Sequence, residues 1–249
     1  MTWVLLRGLA REARHWNTFT ARFSKDHADQ AIITLDLPGN GAFFAETSPI
    51  CTSAMVDFAR QQLRLKGVLP PYQFLALSLG GMVATRWAQL YPQEVVRMVL
   101  INTSMRPFSR LTQRLRPGNW LKLALVAARW RDAQYVEQVI HQLTCHETAS
   151  RAGDVAQWLA IRQDAPISAA NTARQLLAAA RFSGGSNIPA CPALILSCVN
   201  DRLVNAQCST RLALAWQAEH HQHPWAGHDL PHDDADWVCQ RIAAWMQTS

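Results

Sequence analysis

The chain has 249 residues, 49% hydrophobic and 17% charged, enough to bury one large core at a length where α/β proteins form a single domain. Its formal charge of +6 comes without a long basic tract or basic–aromatic alternation, which argues against nucleic-acid binding. No apolar run approaches the length of a membrane span.

In chain order, Trp3–Leu6 is a continuous apolar run of the kind that forms a buried parallel strand, broken at Arg7-Gly8-Leu9. Ala31–Leu35 is a second strand, ending in the tight loop Asp36-Leu37-Pro38-Gly39-Asn40-Gly41. A helix over roughly Ser53–Lys66 leads to a third strand, Tyr72–Leu77. Ser78-Leu79-Gly80-Gly81 follows, and then a helix, Met82–Leu90, that Tyr91-Pro92 stops. Met98–Ile101 and Ala193–Cys198 read as strands four and five. The stretch between them shows no strand and is read as a helical insertion over residues 105–188, leaving 1–104 and 189–249 as the core. Within it, Asn119–Trp130 is apolar on two sides, Leu121 and Leu125 on one stripe and Trp120, Leu123, Ala127 and Trp130 on the other. Beyond strand five come Val199-Asn200-Asp201, a helix capped by Asn205 and running to about Trp216, and a weak last strand, His220–Trp225. Ala226-Gly227-His228-Asp229 and a helix over Asp233–Met246 complete the chain. Strands alternating with helices mean an α/β fold with a mostly parallel sheet and right-handed crossovers.

Reactive loops of such sheets lie past the C-terminal ends of the strands. Ser78, Asp201 and His228 all fall there, in that order. A serine in a sharp strand-to-helix turn with small neighbours is the context of a nucleophile elbow, although Ala76 stands where G-x-S-x-G has its first glycine. Among nine histidines, only His228 follows a glycine in the expected loop. His220, His221 and His223 read as exposed strand or loop residues, His232 as lying near the last helix's start, Asp229 as a loop residue and Asp233 as a helix cap.

Taken together, the elbow at Ser78, the Asp36–Gly41 loop, Asp201 and Gly227-His228 resemble the α/β-hydrolase family, serine-nucleophile branch, over nearly the whole chain outside the insertion. The resemblance implies an α/β-hydrolase fold of about six strands instead of eight, since the chain starts on the strand that a hairpin often precedes. It also implies a helical cap and a Ser78–His228–Asp201 triad, with an oxyanion hole from the backbone N–H groups of Leu79 and Leu9. Arg7 stands where the family commonly carries histidine. The reaction implied is hydrolysis of a small-molecule carboxylic ester or thioester through an acyl-enzyme, with no metal and no organic cofactor. Cleavage of a C–C bond or an amide, a lyase reaction and ligand binding without hydrolysis remain open on the same fold.

Six cysteines, at 51, 145, 191, 198, 208 and 239, form no C-x-x-C pair, so they suggest neither a zinc site nor a redox motif and read as reduced thiols. The first apolar run meets Arg7 too early for a signal peptide, and the expected location is the cytoplasm. Arg106, Arg110, Arg114, Arg116, Lys122, Arg129 and Arg131 stand between Met105 and Arg131 without an acidic residue. In size and cap the chain is similar to hydrolases that demethylate carrier-protein-bound acyl esters. That points to an acidic acyl carrier protein as partner, with Arg110 and Arg114 sharing one helix face.

Overall fold

Alternation decides how the strands are buried. In the computed structural model, which describes residues 1–185 and 187–247, β1 (Thr2–Leu6), β2 (Ala31–Leu35), β3 (Tyr72–Leu77), β4 (Val95–Ile101), β5 (Ala193–Cys198) and β6 (Glu219–His223) form one sheet. Its order is β2-β1-β3-β4-β5-β6 and every pairing is parallel. Successive side chains point to opposite faces, so Val4, Leu6, Phe74, Ala76, Met98 and Leu100 join one core. Trp3, Leu5, Leu75, Leu77, Val99 and Ile101 join the other.

On the first face pack α2 (Thr52–Leu65), α3 (Leu79–Leu90) and α9 (Gln207–Trp216), and on the second α1 (Phe19–Asp26) and α11 (Ala235–Met246). Both faces are covered, which is why the central strands read as unbroken apolar runs. β6 is an edge strand, shorter than His220–Trp225 and polar. It stops at His223, which is buried and not exposed as expected: one ring nitrogen faces Asp234 at 3.1 Å and the other accepts the Ala226 N–H at 2.9 Å.

Between β4 and β5 the described residues form no further strand of the sheet, only an isolated bridge from Arg106 to Ser183 and the helices α4 (Leu111–Arg114), α5 (Trp120–Ala128), α6 (Ala133–Thr144), α7 (Arg151–Asp164) and α8 (Ala169–Arg181). The C-terminal helix is split in two. α10 (Leu230–Asp233) precedes α11, and Asp234, not Asp233, caps α11 by accepting the Trp237 N–H. Asp233 instead accepts N–H groups from His146, Glu147 and Gly227, joining the insertion to the loop that carries His228. No helix among the described residues is long and apolar enough to cross a membrane.

Candidate active site

Ser78 sits between β3 and α3 with φ 55° and ψ −114°. A non-glycine residue held there costs on the order of 1–3 kcal/mol, and the surroundings must impose it. They do: the Ser78 N–H donates to Ile101 O at 2.9 Å, and Thr103 Oγ1 donates to Ser78 O at 2.8 Å. Close approach makes Gly80 obligatory, because a Cβ there would lie 2.5 Å from Leu6 O. Ala76 points into the core on the sheet's first face, where a methyl fits.

β1 ends against this turn. A Cβ on Gly8 would touch Ser78 Cβ at 3.3 Å, so the loop after β1 passes directly beside the serine. Leu9, Leu79 and Ser78 line one cavity. The Leu79 N–H is the first of α3 and has no intrahelical acceptor. Leu9 donates no backbone hydrogen bond among the described residues. The Leu9 loop is held by a residue of the insertion. Gln175 of α8, fully buried, accepts the Ala10 N–H at 2.9 Å and donates to Asn40 Oδ1 at 3.1 Å in the Asp36–Gly41 loop. Sequence reasoning missed Gln175, since nothing in its own segment marks it.

Asp201 follows β5 and His228 follows β6. Asp201 Oδ2 lies 2.7 Å from His228 Nδ1, and Oδ1 accepts the N–H groups of Leu203 and Val204 at 2.8 and 2.9 Å. Asn102, just past β4 at φ 46°, donates to His228 O at 2.8 Å and so fixes the loop from below. Burial would lower the His228 pKa, but the Asp201 carboxylate outweighs it and the net shift is upward. No hydrogen bond joins the Ser78 hydroxyl to the imidazole among the described residues; such bonds often tighten only with substrate.

Arg7 proves to be a structural neighbour of this histidine. Its guanidinium is 3% exposed and clasps Asp229 with two bonds, of 3.0 and 2.5 Å, while lying over the Trp16 ring. Asp229 is therefore an ion-pair partner and more than a loop residue. Burial works to raise its pKa, and Arg7 prevails and holds it below the usual carboxylate range.

Over Ser78 the insertion closes a cavity of about 310 Å³. Its walls are mostly apolar, from Leu79 and Met82 of the core to Leu123, Trp130, Ile140 and Leu176 of the insertion. Charge enters through Arg114 and through Glu137, which accepts from Arg11 at 2.7 Å and Arg162 at 3.1 Å. The two-sided reading of α5 holds in part. Leu123, Ala127 and Trp130 line the cavity while Leu121 and Leu125 face out, but Trp120 is exposed as well. Arg114, expected on the surface with Arg110, is buried and donates to Ala179 O and to Ala180 O near the end of α8.

The sequence profile of the Alpha/beta hydrolase family matches residues 3–241. The chain belongs to the alpha/beta hydrolase family. Among solved structures this hydrolase is similar to an esterase from Thermogutta terrifontis, with 21% identity, a TM-score of 0.76 and coverage of 100% of this chain and 90% of that one. An enol-lactonase from Burkholderia xenovorans gives 19% identity, TM-score 0.78 and coverage of 99% and 91%. An esterase from Exiguobacterium antarcticum gives 13%, 0.80, and 99% and 92%. At these identities the likeness shows the fold alone. No curated protein matches the sequence.

Proposed function

We propose that this hydrolase is a serine esterase that cleaves a carboxylic ester or thioester through an acyl-enzyme. The observation that carries the reading is the 2.7 Å Asp201–His228 contact at the sheet edge that also presents Ser78 to an apolar cavity.

With Nδ1–H donated to Asp201, the neutral imidazole keeps its Nε2 lone pair for the Ser78 proton. Ser78 Oγ attacks the carbonyl carbon, and the C=O electron pair moves onto oxygen, where the Leu79 and Leu9 N–H groups receive it. The imidazolium returns its proton to the leaving oxygen or sulfur as that bond breaks. Water then gives a proton to His228, attacks the acyl carbon, and releases the acid as Ser78 is reprotonated. An apolar cavity of this size fits a small to medium acyl chain. An esterase and an enol-lactonase stand among the structures that share the fold, and an ester substrate is in keeping with that company. A reducing, cytoplasmic location fits the cysteines buried as thiols, Cys198 and Cys208 among them.

A fluorophosphonate probe tests the reading. Wild type should be labelled stoichiometrically and lose esterase activity, and Ser78→Ala should resist labelling while folding normally. An unlabelled, inactive wild type would instead favour the ligand-binding alternative.

A further inference from the structure

A second polar cluster lies where the insertion meets the loop beyond His228. α6 brings His141 and, one turn later at its C-cap, Cys145; α10 brings His232. One ligating atom from each of the three lies within 4.8 Å of the other two. All three side chains are buried or nearly so, and they are drawn from segments about ninety residues apart, so helical periodicity in either segment alone does not explain their meeting.

The rings are oriented by a carboxylate. Asp154 Oδ2 of α7 lies 3.2 Å from His141 Nε2 and 3.1 Å from His232 Nε2, and the Ser150 hydroxyl donates to the same oxygen at 2.6 Å. An ionised carboxylate only accepts. Both rings therefore donate Nε2–H, which leaves each Nδ1 with an uncommitted lone pair. No partner for either Nδ1 exists among the described residues. Histidines that bind metals are commonly held this way, by a carboxylate on the nitrogen away from the ion.

Asp229 and Asp233 stand near Cys145, with Arg11 also within range, and a Cys145 thiolate together with Asp154 would balance a divalent charge. Tetrahedral ligation at about 2.0–2.3 Å places donor atoms roughly 3.5 Å apart, and one ring nitrogen of each histidine and the Cys145 Sγ already stand within 4.8 Å of one another.

We propose that Cys145, His141 and His232 form a binding site for Zn²⁺, with Asp154 orienting the two imidazoles. The mixed sulfur and nitrogen donors suit zinc better than magnesium or calcium. The bound ion would tie α6 to α10, four residues beyond His228, and thereby staple the insertion to the core. Binding converts the Cys145 thiol to thiolate and releases about one proton per ion.

The test uses metal-stripped full-length protein and Co²⁺ as the spectroscopic stand-in, with Zn²⁺ in parallel. One Co²⁺ per chain should bind with a thiolate-to-metal charge-transfer band, kept in Cys51→Ser and absent in Cys145→Ser. Asp154→Asn should weaken Zn²⁺ binding by about 10–100-fold while keeping the band. Zn²⁺ should raise the melting temperature of wild type and not of Cys145→Ser. Should Cys145→Ser fail to fold, X-ray absorption on Zn²⁺-loaded wild type decides, requiring one sulfur and two imidazole nitrogens. Absence of binding, a band that survives in Cys145→Ser, an unchanged affinity in Asp154→Asn, or a shell of oxygen and nitrogen alone would overturn the site and leave the cluster a hydrogen-bonded latch.

Discussion

The sheet and the helical insertion are held together by different forces. Strands β1, β3, β4 and β5 bury most of their side chains among apolar groups, with Gln73 and Ser197 as buried polar exceptions. The insertion's α5 has a single buried residue, Val126. What lies buried elsewhere in the insertion is often polar: Arg114, Glu137, His141, Asp154, Asn171 and Gln175. Apolar burial is non-directional and gives stability. Buried polar groups must meet exact partners, and here several of those partners belong to the loops around Ser78 and His228. Substitutions in the sheet should therefore register mainly in stability, and polar substitutions in the insertion mainly in catalysis.

The largest expected effect falls on the residue both regions serve. Ser78→Ala should cut turnover of a small ester by a factor on the order of 10⁶ with an unchanged unfolding midpoint. A variant keeping even a tenth of wild-type activity would remove Ser78 as the nucleophile.

Arg7 and Asp229 break the pattern within the core, where a buried ion pair replaces apolar packing. Arg7→Met leaves the Asp229 carboxylate buried and unpaired, at a cost of about 3–5 kcal/mol. The sign with pH follows from the depressed Asp229 pKa. The pair's contribution is complete above the ordinary carboxylate value of 3.8 and is lost as pH falls through the lower folded value. Urea denaturation should show the deficit of the variant greatest at neutral pH and shrinking in acid. A deficit independent of pH would mean that lost packing on Trp16 is the cause.

Gln175 tests the insertion's side of the comparison. Gln175→Leu removes the acceptor of the Ala10 N–H next to Leu9. A displacement of about 1 Å at an oxyanion donor is worth roughly 10²-fold, so kcat should fall by about that factor with KM little changed. A rise in KM at constant kcat would assign Gln175 to substrate binding instead.

Acid should act through His228. Its pKa is raised above the ordinary 6.5, so kcat/KM should climb with a midpoint above that value as the imidazole becomes neutral. In Asp201→Asn burial outweighs the smaller raising effect of Asp229 that remains, which should move the midpoint down while residual activity drops. An upward move would remove Asp201 as the partner that sets the titration.

The core was legible in the sequence because its signals are local. Unbroken runs such as Phe74–Leu77 and the Ser78 turn lie in consecutive residues, and the order of Ser78, Asp201 and His228 followed from the strands that precede them. The polar contacts were not legible, because they join residues far apart. Arg7 and Asp229 are separated by 222 positions and Ala10 and Gln175 by 165, and no periodicity connects them. Arg114 misled for a related reason: one turn of helix says nothing about which carbonyls lie opposite, and the end of α8 does.

That correction reshapes the smallest expected effect, at the basic patch. Arg114 is committed to carbonyl oxygens near the end of α8, Arg116 donates to Val204 O and Arg129 is paired with Asp132. Arg110 and Lys122 are exposed and make no ion pair among the described residues. Leu121 and Leu125 are exposed beside Lys122, giving an outer face both basic and apolar, the character that would receive an acidic carrier protein bearing an acyl chain. Surface charges steer encounter more than they add affinity. Arg110→Glu with Lys122→Glu should therefore lower kcat/KM for a carrier-linked ester by about tenfold or less. The loss should shrink as salt is raised, since charges further apart than a Debye length are screened. A small soluble ester reaches Ser78 without that encounter and should be hydrolysed at the wild-type rate. Equal losses on both substrates would place the effect in the cavity, and no loss on either would leave the patch a solvated surface.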